Sequence, residues 1–159
     1  MPTAVTRSLV SPDMTTQLAV ALAPHLGSGD SVLLSGPIGA GKTHFARAII
    51  QTRLAAENRH EDVPSPTFTL VQVYDAGETE IWHADLYRLT SADEVVELGL
   101  DEAFEGAITI VEWPDRLGTD RPASACSLDF SLEETGRSVR ICWPDSRVES
   151  WLLEFDRAA

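Results

Sequence analysis

Residues 36–43 read Gly36-Pro37-Ile38-Gly39-Ala40-Gly41-Lys42-Thr43, a Gly-x4-Gly-Lys-Thr pattern. Glycines let the backbone turn several N–H groups into one concavity, a nest for phosphate oxygens. A helix that starts at once adds its unpaired N–H groups and the positive end of its dipole. The lysine reaches phosphates as a point charge, and the hydroxyl after it can ligate Mg²⁺. Such a turn works only between a strand and a helix, so its flanks are the test. Ser31-Val32-Leu33-Leu34 is a short β-branched and apolar run behind the turn Gly27-Ser28-Gly29-Asp30. Thr43 to Glu57 carries Phe45, Ala46, Ile49, Ile50, Leu54 and Ala55 at helical spacing. Strand, glycine loop and helix follow in the required order, which makes the stretch a P-loop rather than a flexible connection.

The rest of the chain supplies elements to build around it. Ser11-Pro12-Asp13 has an N-cap serine and a proline at the first helical position, and Leu18, Leu22 and Leu26 follow at four-residue intervals. That predicts a helix ending between Pro24 and Gly27. Two prolines stiffen Val63-Pro64-Ser65-Pro66, after which alternation predicts a strand from Phe68 to Tyr74. The turn Asp75–Glu78 leads to a second strand over Glu80–Asp85, a hairpin. Ser91 and Glu94 form a capping-box pattern ahead of two short helical pieces. Ala107–Glu112 is nearly continuously apolar, the signature of a central strand covered on both faces. Asp115–Pro122 reads as loop, Ala125–Leu132 and Arg137–Trp143 as a second hairpin, and Ser146–Phe155 as a closing amphipathic helix. The expected architecture is α/β: a P-loop NTPase fold, with a mainly parallel central sheet, antiparallel hairpins and flanking helices. No repeat or linker divides it, so residues 1–159 are expected to form one domain.

Composition excludes several function classes. The chain has 25 acidic and 12 basic residues, a net charge of −13, which opposes nonspecific binding to DNA or RNA. No apolar run approaches the ~20 residues of a membrane span. The N-terminal stretch has one arginine and no long apolar core, so no secretory signal is expected. The two cysteines, Cys126 and Cys142, make no disulfide framework, and a reducing cytoplasm is the expected setting.

Hydrolysis of a nucleotide needs a carboxylate at the end of a strand beside the P-loop. Glu112 ends the most apolar strand, and Asp85 ends the strand that contains His83. Each has a plainer reading, Glu112 as a strand-end acid meeting solvent and Asp85 as the partner of a neighbouring turn. Thr67 sits where a switch-like threonine senses a γ-phosphate, or simply begins a strand. His83 is a candidate to orient a water or is structural. Trp113 stacks near a ligand or packs on the core, and Arg88 neutralises phosphate or makes a surface ion pair. His25, His44 and His60 show no metal-ligand spacing.

Taken together, Gly36–Thr43, Ser65-Pro66-Thr67-Phe68, His83-Ala84-Asp85-Leu86-Tyr87-Arg88 and Val111-Glu112-Trp113 resemble the TsaE (YjeE) family over roughly Ser11 to Arg140. The resemblance implies a small P-loop ATPase of bacterial tRNA N6-threonylcarbamoyladenosine (t6A) synthesis. It implies ATP bound by Gly36, Pro37, Ile38, Gly39, Ala40, Gly41, Lys42 and Thr43, and Mg²⁺ held by Thr43 and Glu112. Lys42, Asp85, Glu112 and Thr67 would serve turnover, and Arg137 matches a family arginine near the adenine end. The implied partners are a TsaD–TsaB pair that modifies adenosine 37 of ANN-decoding tRNAs, so tRNA would be reached only through that complex. Pro37-Ile38 stands where the family often has Asp-Leu, at positions that present backbone, and Ala84 replaces a usual aromatic. Read from the residues alone, a small-molecule kinase or a non-hydrolysing nucleotide-dependent interaction module are the alternatives.

Overall fold

A computed structural model describes residues 4–91 and 93–159. Seven strands form one sheet in the order β1-β7-β6-β2-β5-β4-β3. They are β1 (Val5–Leu9), β2 (Ser31–Ser35), β3 (Val71–Ala76), β4 (Thr79–Asp85), β5 (Ile108–Glu112), β6 (Cys126–Glu133) and β7 (Gly136–Cys142). The middle four, β6-β2-β5-β4, run parallel. The β3–β4 and β6–β7 hairpins and the β1–β7 pair are antiparallel. Five α-helices accompany them: α1 (Pro12–Leu22), α2 (Lys42–Ala56), α3 (Asp93–Glu97), α4 (Leu100–Gly106) and α5 (Arg147–Ala158).

Alternation along the parallel strands decides what covers each face. Val32 and Leu34 of β2, with Ile108 and Ile110 of β5, point toward α1, α2 and α5 and join Leu18, Phe45, Ile49 and Trp151. Leu33 and Val111 point the other way, onto Val95, Leu100 and Leu117. Because both faces are covered, β2 and β5 read as nearly continuous apolar runs, as the sequence predicts for β5, and buried Thr109 within β5 donates to Ser31 Oγ of β2 at 2.8 Å. Each such fully buried side chain stabilises the fold by roughly 1.5–3 kcal/mol. Trp151 satisfies its one polar atom by donating Nε1–H to Leu18 O at 2.9 Å. Cys126 and Cys142 are free, and burial pushes the Cys126 thiol up from its ordinary value.

The structure corrects four local expectations. No strand is foreseen at β1, whose burial alternates weakly and whose apolar residues are only Val5 and Leu9. The strand expected from Phe68 begins at Val71 instead. Leu70 adopts a left-handed backbone (φ 68°) and donates its N–H to Pro66 O at 2.7 Å, closing a turn that leaves Phe68 exposed. The expected loop after Asp115 holds 3-10 turns over Pro114–Asp120, broken at Gly118 and anchored by buried Leu117. Ala55 faces solvent, and Ala48 takes its place on the buried side of α2. In the capping-box segment Ser91 Oγ accepts from Asp93 N, while Glu94 Oε1 accepts from Thr90.

One polar clamp ties the start of α5 to the start of β2. Arg147 donates to both oxygens of Asp30 (2.7 and 2.9 Å), to Asp145 Oδ2 (2.8 Å) and to His25 O (2.7 Å). The Arg147 side chain first, and its backbone N–H second, hold the Asp145 carboxyl down to about 2. A depressed carboxyl contributes stability above its unfolded value and loses it as pH falls through its folded value. Arg147→Met is expected to lower stability by about 1–2 kcal/mol, the clamp being partly exposed. It should also flatten the acid loss of stability between pH 3.8 and about 2. Urea unfolding across that range checks both, and an unchanged acid limb would contradict the assignment.

Candidate functional site

Chain order reverses about β2, since β5 lies on one side of it and β6 on the other. In open α/β sheets ligands bind beyond the carboxyl ends of the strands at such a switch point. Residues 36–41 leave β2 there. Gly36 has φ 134°, and a Cβ on it would stand 2.4 Å from Phe130 O of β6, so only glycine fits between the strands. Pro37 and Ile38 are exposed, Ala40 is buried and donates its N–H to Pro37 O (3.2 Å), and Gly39 faces open space. Gly41, left-handed at φ 107°, caps α2, and its carbonyl accepts the Phe45 N–H at 2.9 Å. The loop thereby delivers Lys42 and Thr43 to the first turn of α2.

Lys42 is nearly buried. Its Nζ donates to Gly36 O and lies 3.7 Å from the centroid of the Trp113 ring. Burial lowers its pKa, while Glu112, then Asp85 and Asp115, raise it. Trp113 reaches this position through a left-handed backbone (φ 61°), and the Tyr87 ring meets it at 4.9 Å between centroids, tilted by 52°. Trp113 packs against the core on the Leu33–Val111 face, as one of the two expected readings has it, and also covers the P-loop lysine, which neither reading contains.

Glu112 and Asp85 end neighbouring parallel strands and are register partners. Glu112 is buried, at 2% exposure, with both oxygens engaged. Oε1 accepts from Thr43 Oγ1 at 2.7 Å and Oε2 from His83 Nε2 at 2.8 Å. Asp85 accepts from the Tyr87 N–H through Oδ1 (3.1 Å) and from Thr67 Oγ1 through Oδ2 (3.3 Å). Thr67 also meets Ser65 Oγ at 2.7 Å. Glu112 is thus no solvent-facing strand end. Asp85 does hold the turn at Tyr87, yet it lines the same cleft as Lys42 and Thr43. Arg88 stands outside this cleft, exposed, with its guanidinium 5.6 Å from the Phe68 ring.

That cleft, of about 480 Å³, runs from Asp85, Glu112 and Thr67 to the P-loop. A second of about 390 Å³ runs from the P-loop to Arg137, walled by Leu9–Pro12 and Thr15. Gly39, Gly41 and His44 line both, so one trough crosses the loop. Arg137 donates Nε–H to Gly39 O at 3.2 Å, which pins the outer bend of the P-loop. Sequence reasoning misses the Leu9–Pro12 wall along with β1. It also misses His44, whose Nε2 lies 2.8 Å from Thr16 Oγ1 of α1. No cluster of three or more His, Cys, Asp or Glu suited to a metal occurs among the described residues. A hard cation is still fitted by the oxygen donors at hand, Thr43 Oγ1 in contact with Glu112 Oε1 and the Asp85 carboxylate one strand away.

A parallel α/β sheet with a glycine loop at its switch point, a P-loop lysine and an adjoining strand-end acid defines a P-loop NTPase-like protein. A family profile described as "Threonylcarbamoyl adenosine biosynthesis protein TsaE" matches residues 9–141, and the chain belongs to the TsaE family. The tRNA threonylcarbamoyladenosine biosynthesis protein TsaE of Rickettsia conorii is 37% identical over 153 residues, covering 93% of this chain and 85% of that one. The protein of the same name from Mycobacterium tuberculosis is 35% identical over 155 residues, covering 92% and 85%. The crystal structure of YdiB from Bacillus subtilis superposes with a TM-score of 0.75 at 24% identity, over 99% of this chain and 97% of that one, and shares the fold.

The close approach at Gly36 is open to test. Gly39→Ala is expected to cost about 1–2 kcal/mol, the strain of its left-handed backbone alone. Gly36→Ala adds overpacking against the Phe130 backbone and should cost at least about 2 kcal/mol more. Urea unfolding of the two variants measures the difference, and equal losses would contradict the packing of β2 on β6.

Proposed function

We propose that the chain is a Mg²⁺-dependent ATP hydrolase that supports t6A modification of tRNA by acting on a TsaD–TsaB-type complex. The bond between Thr43 Oγ1 and Glu112 Oε1, at the foot of a P-loop, carries this reading. It joins the hydroxyl and the carboxylate that hold the metal in P-loop hydrolases. The names of the relatives supply the pathway.

In this reading ATP lies along the trough, with its base beside Arg137 and its phosphates over residues 36–43. Bound Mg²⁺, held by Thr43 and Glu112 with Asp85 nearby, would supply charge neutralisation at the terminal phosphates. The protein's own part is positioning and electrostatics. P-loop N–H groups receive the phosphate oxygens. Lys42 exchanges the Gly36 carbonyl for the γ-phosphoryl group as negative charge spreads over it in the transition state. Asp85 and Thr67, already bonded to each other, order the side of the cleft from which water attacks. No arginine lines the phosphate cleft among the described residues, so the isolated chain turns over slowly and a partner completes the site. A net charge of −13 supports tRNA contact through the partner complex rather than through this chain. No helix is long and apolar enough to cross a membrane among the described residues. The free cysteines agree with a cytoplasmic setting.

Phosphate release from ATP, by the chain alone and with a TsaD–TsaB pair, tests the proposal with Lys42→Ala as the blank. Stimulation by the pair is expected, with a loss of about 10²-fold or more in Lys42→Ala and in Glu112→Gln. Release that the pair does not stimulate would overturn the partner assignment. Tight ATP binding without release, even in the complex, would make the chain a nucleotide-dependent binding module. Transfer of phosphate to a small molecule would make it a kinase.

A further inference from the structure

His83 lies on the α2-facing side of β4, between Ile81 and Asp85, and is fully buried. Its neighbours on that face are the apolar core, where an aliphatic side chain would satisfy packing without any polar atom. A ring with two nitrogens is costly there unless both are bonded. Only one is. Nε2 meets Glu112 Oε2 at 2.8 Å, and Nδ1 has no hydrogen-bond partner. A histidine kept for packing or for bridging backbone would place its second nitrogen on a carbonyl. This one directs its whole polar capacity at one carboxylate oxygen.

That oxygen is the one that does not face Thr43. The terminal torsion of a glutamate is soft, with a broad two-fold profile, so one bond at Oε1 does not fix the plane of the carboxylate. A donor at Oε2 does. Hydrogen bonds of this kind, one shell behind a metal's ligands, commonly change metal affinity 10- to 100-fold when removed. We propose that His83 is a positioning residue for the metal site: its Nε2–H holds Glu112 so that Oε1 faces Thr43, and the strength of Mg²⁺ binding with nucleotide depends on that bond. The inference rests on the metal-dependent nucleotide site proposed above.

Two amides separate this role from a structural one. The amide nitrogen of glutamine reaches about where Nε2 stands, and that of asparagine stops about where Nδ1 stands. Glutamine then leaves its amide oxygen unbonded, as His83 leaves Nδ1, whereas asparagine leaves both amide atoms and Glu112 Oε2 unbonded, a cost that thermal unfolding reads separately. The measurement is the affinity of the full chain for a non-hydrolysable ATP analogue, with and without Mg²⁺, alongside thermal unfolding. In the wild type Mg²⁺ should tighten binding. His83→Asn should reduce that gain about tenfold or more, and His83→Gln should keep it within about threefold. Should His83→Asn not fold, His83→Leu takes its place as the variant without a donor. Wild-type tightening that all variants keep, or that His83→Gln loses as fully as the variants without a donor, would overturn the role of His83 alone. No tightening in the wild type would overturn the metal-dependent reading and this inference with it.

Discussion

A carboxylate buried beneath a P-loop is the constraint that the rest of the structure serves. Removing an ion from water costs several kcal/mol even after relaxation, and the cost is recovered only when its lone pairs are bonded. Glu112 meets that condition from two directions. Thr43 approaches from the helix that the glycine loop starts, and His83 from the neighbouring strand. Both bonds require the parallel register that sets Asp85 against Glu112 and Leu34 against Glu112. A slip of one residue in β5 would turn the acid to the other face, away from α2. The apolar residues of β2 and β5 therefore do more than fill a core. Their alternation decides that the acid and the P-loop threonine share one side of the sheet.

The same logic explains which parts were legible in the sequence. The P-loop, its strand and its helix are read from local pattern, because eight consecutive residues and their flanks carry the geometry. Glu112 is read from the continuous apolar run before it. Contacts made across the sheet leave no such mark. His83 and Glu112 are 29 residues apart, and only the register of β4 on β5 brings them together. The β1 strand escapes notice because Val5 and Leu9 are its only apolar residues, an edge strand's pattern. Its absence from the reading hides the Leu9–Pro12 wall of the second cleft. The turn at Leu70 is missed for another reason. A leucine in the left-handed region is disfavoured locally, and the Pro66 carbonyl together with the bond from Asp85 N to Leu70 O imposes it.

That imposed turn links the switch-like segment to the acids. Leu70 O accepts from the backbone of Asp85, whose side chain accepts from Thr67. Thr67 and Asp85 are thus joined through both side chain and backbone, and Phe68, next to Thr67, is exposed. A change at Thr67 reaches Asp85 through a hydrogen bond and through the strand itself.

Charge gives the site its remaining character. Lys42 is the only lysine in the chain, and its ammonium is already held by Gly36 O and the Trp113 face. Asp85 and Glu112 sit across the same cleft. For the proposed nucleotide, the terminal phosphates would enter a cleft with one occupied cation and two carboxylates, in a protein of net charge −13. In that reading phosphate would displace an internal contact of Lys42 to gain an external one, so the lysine would contribute less to ground-state binding than a free ammonium. In the proposed hydrolysis it would contribute more where charge on the transferring group is greatest, which is the condition for catalysis rather than tight binding. The repulsion from the two acids then turns into attraction only through a divalent cation between acid and phosphate. Under the proposed function such a P-loop would be weak toward free nucleotide and strong toward its metal complex, because the carboxylate that the fold works hardest to bury is also the group that a phosphate alone would not approach.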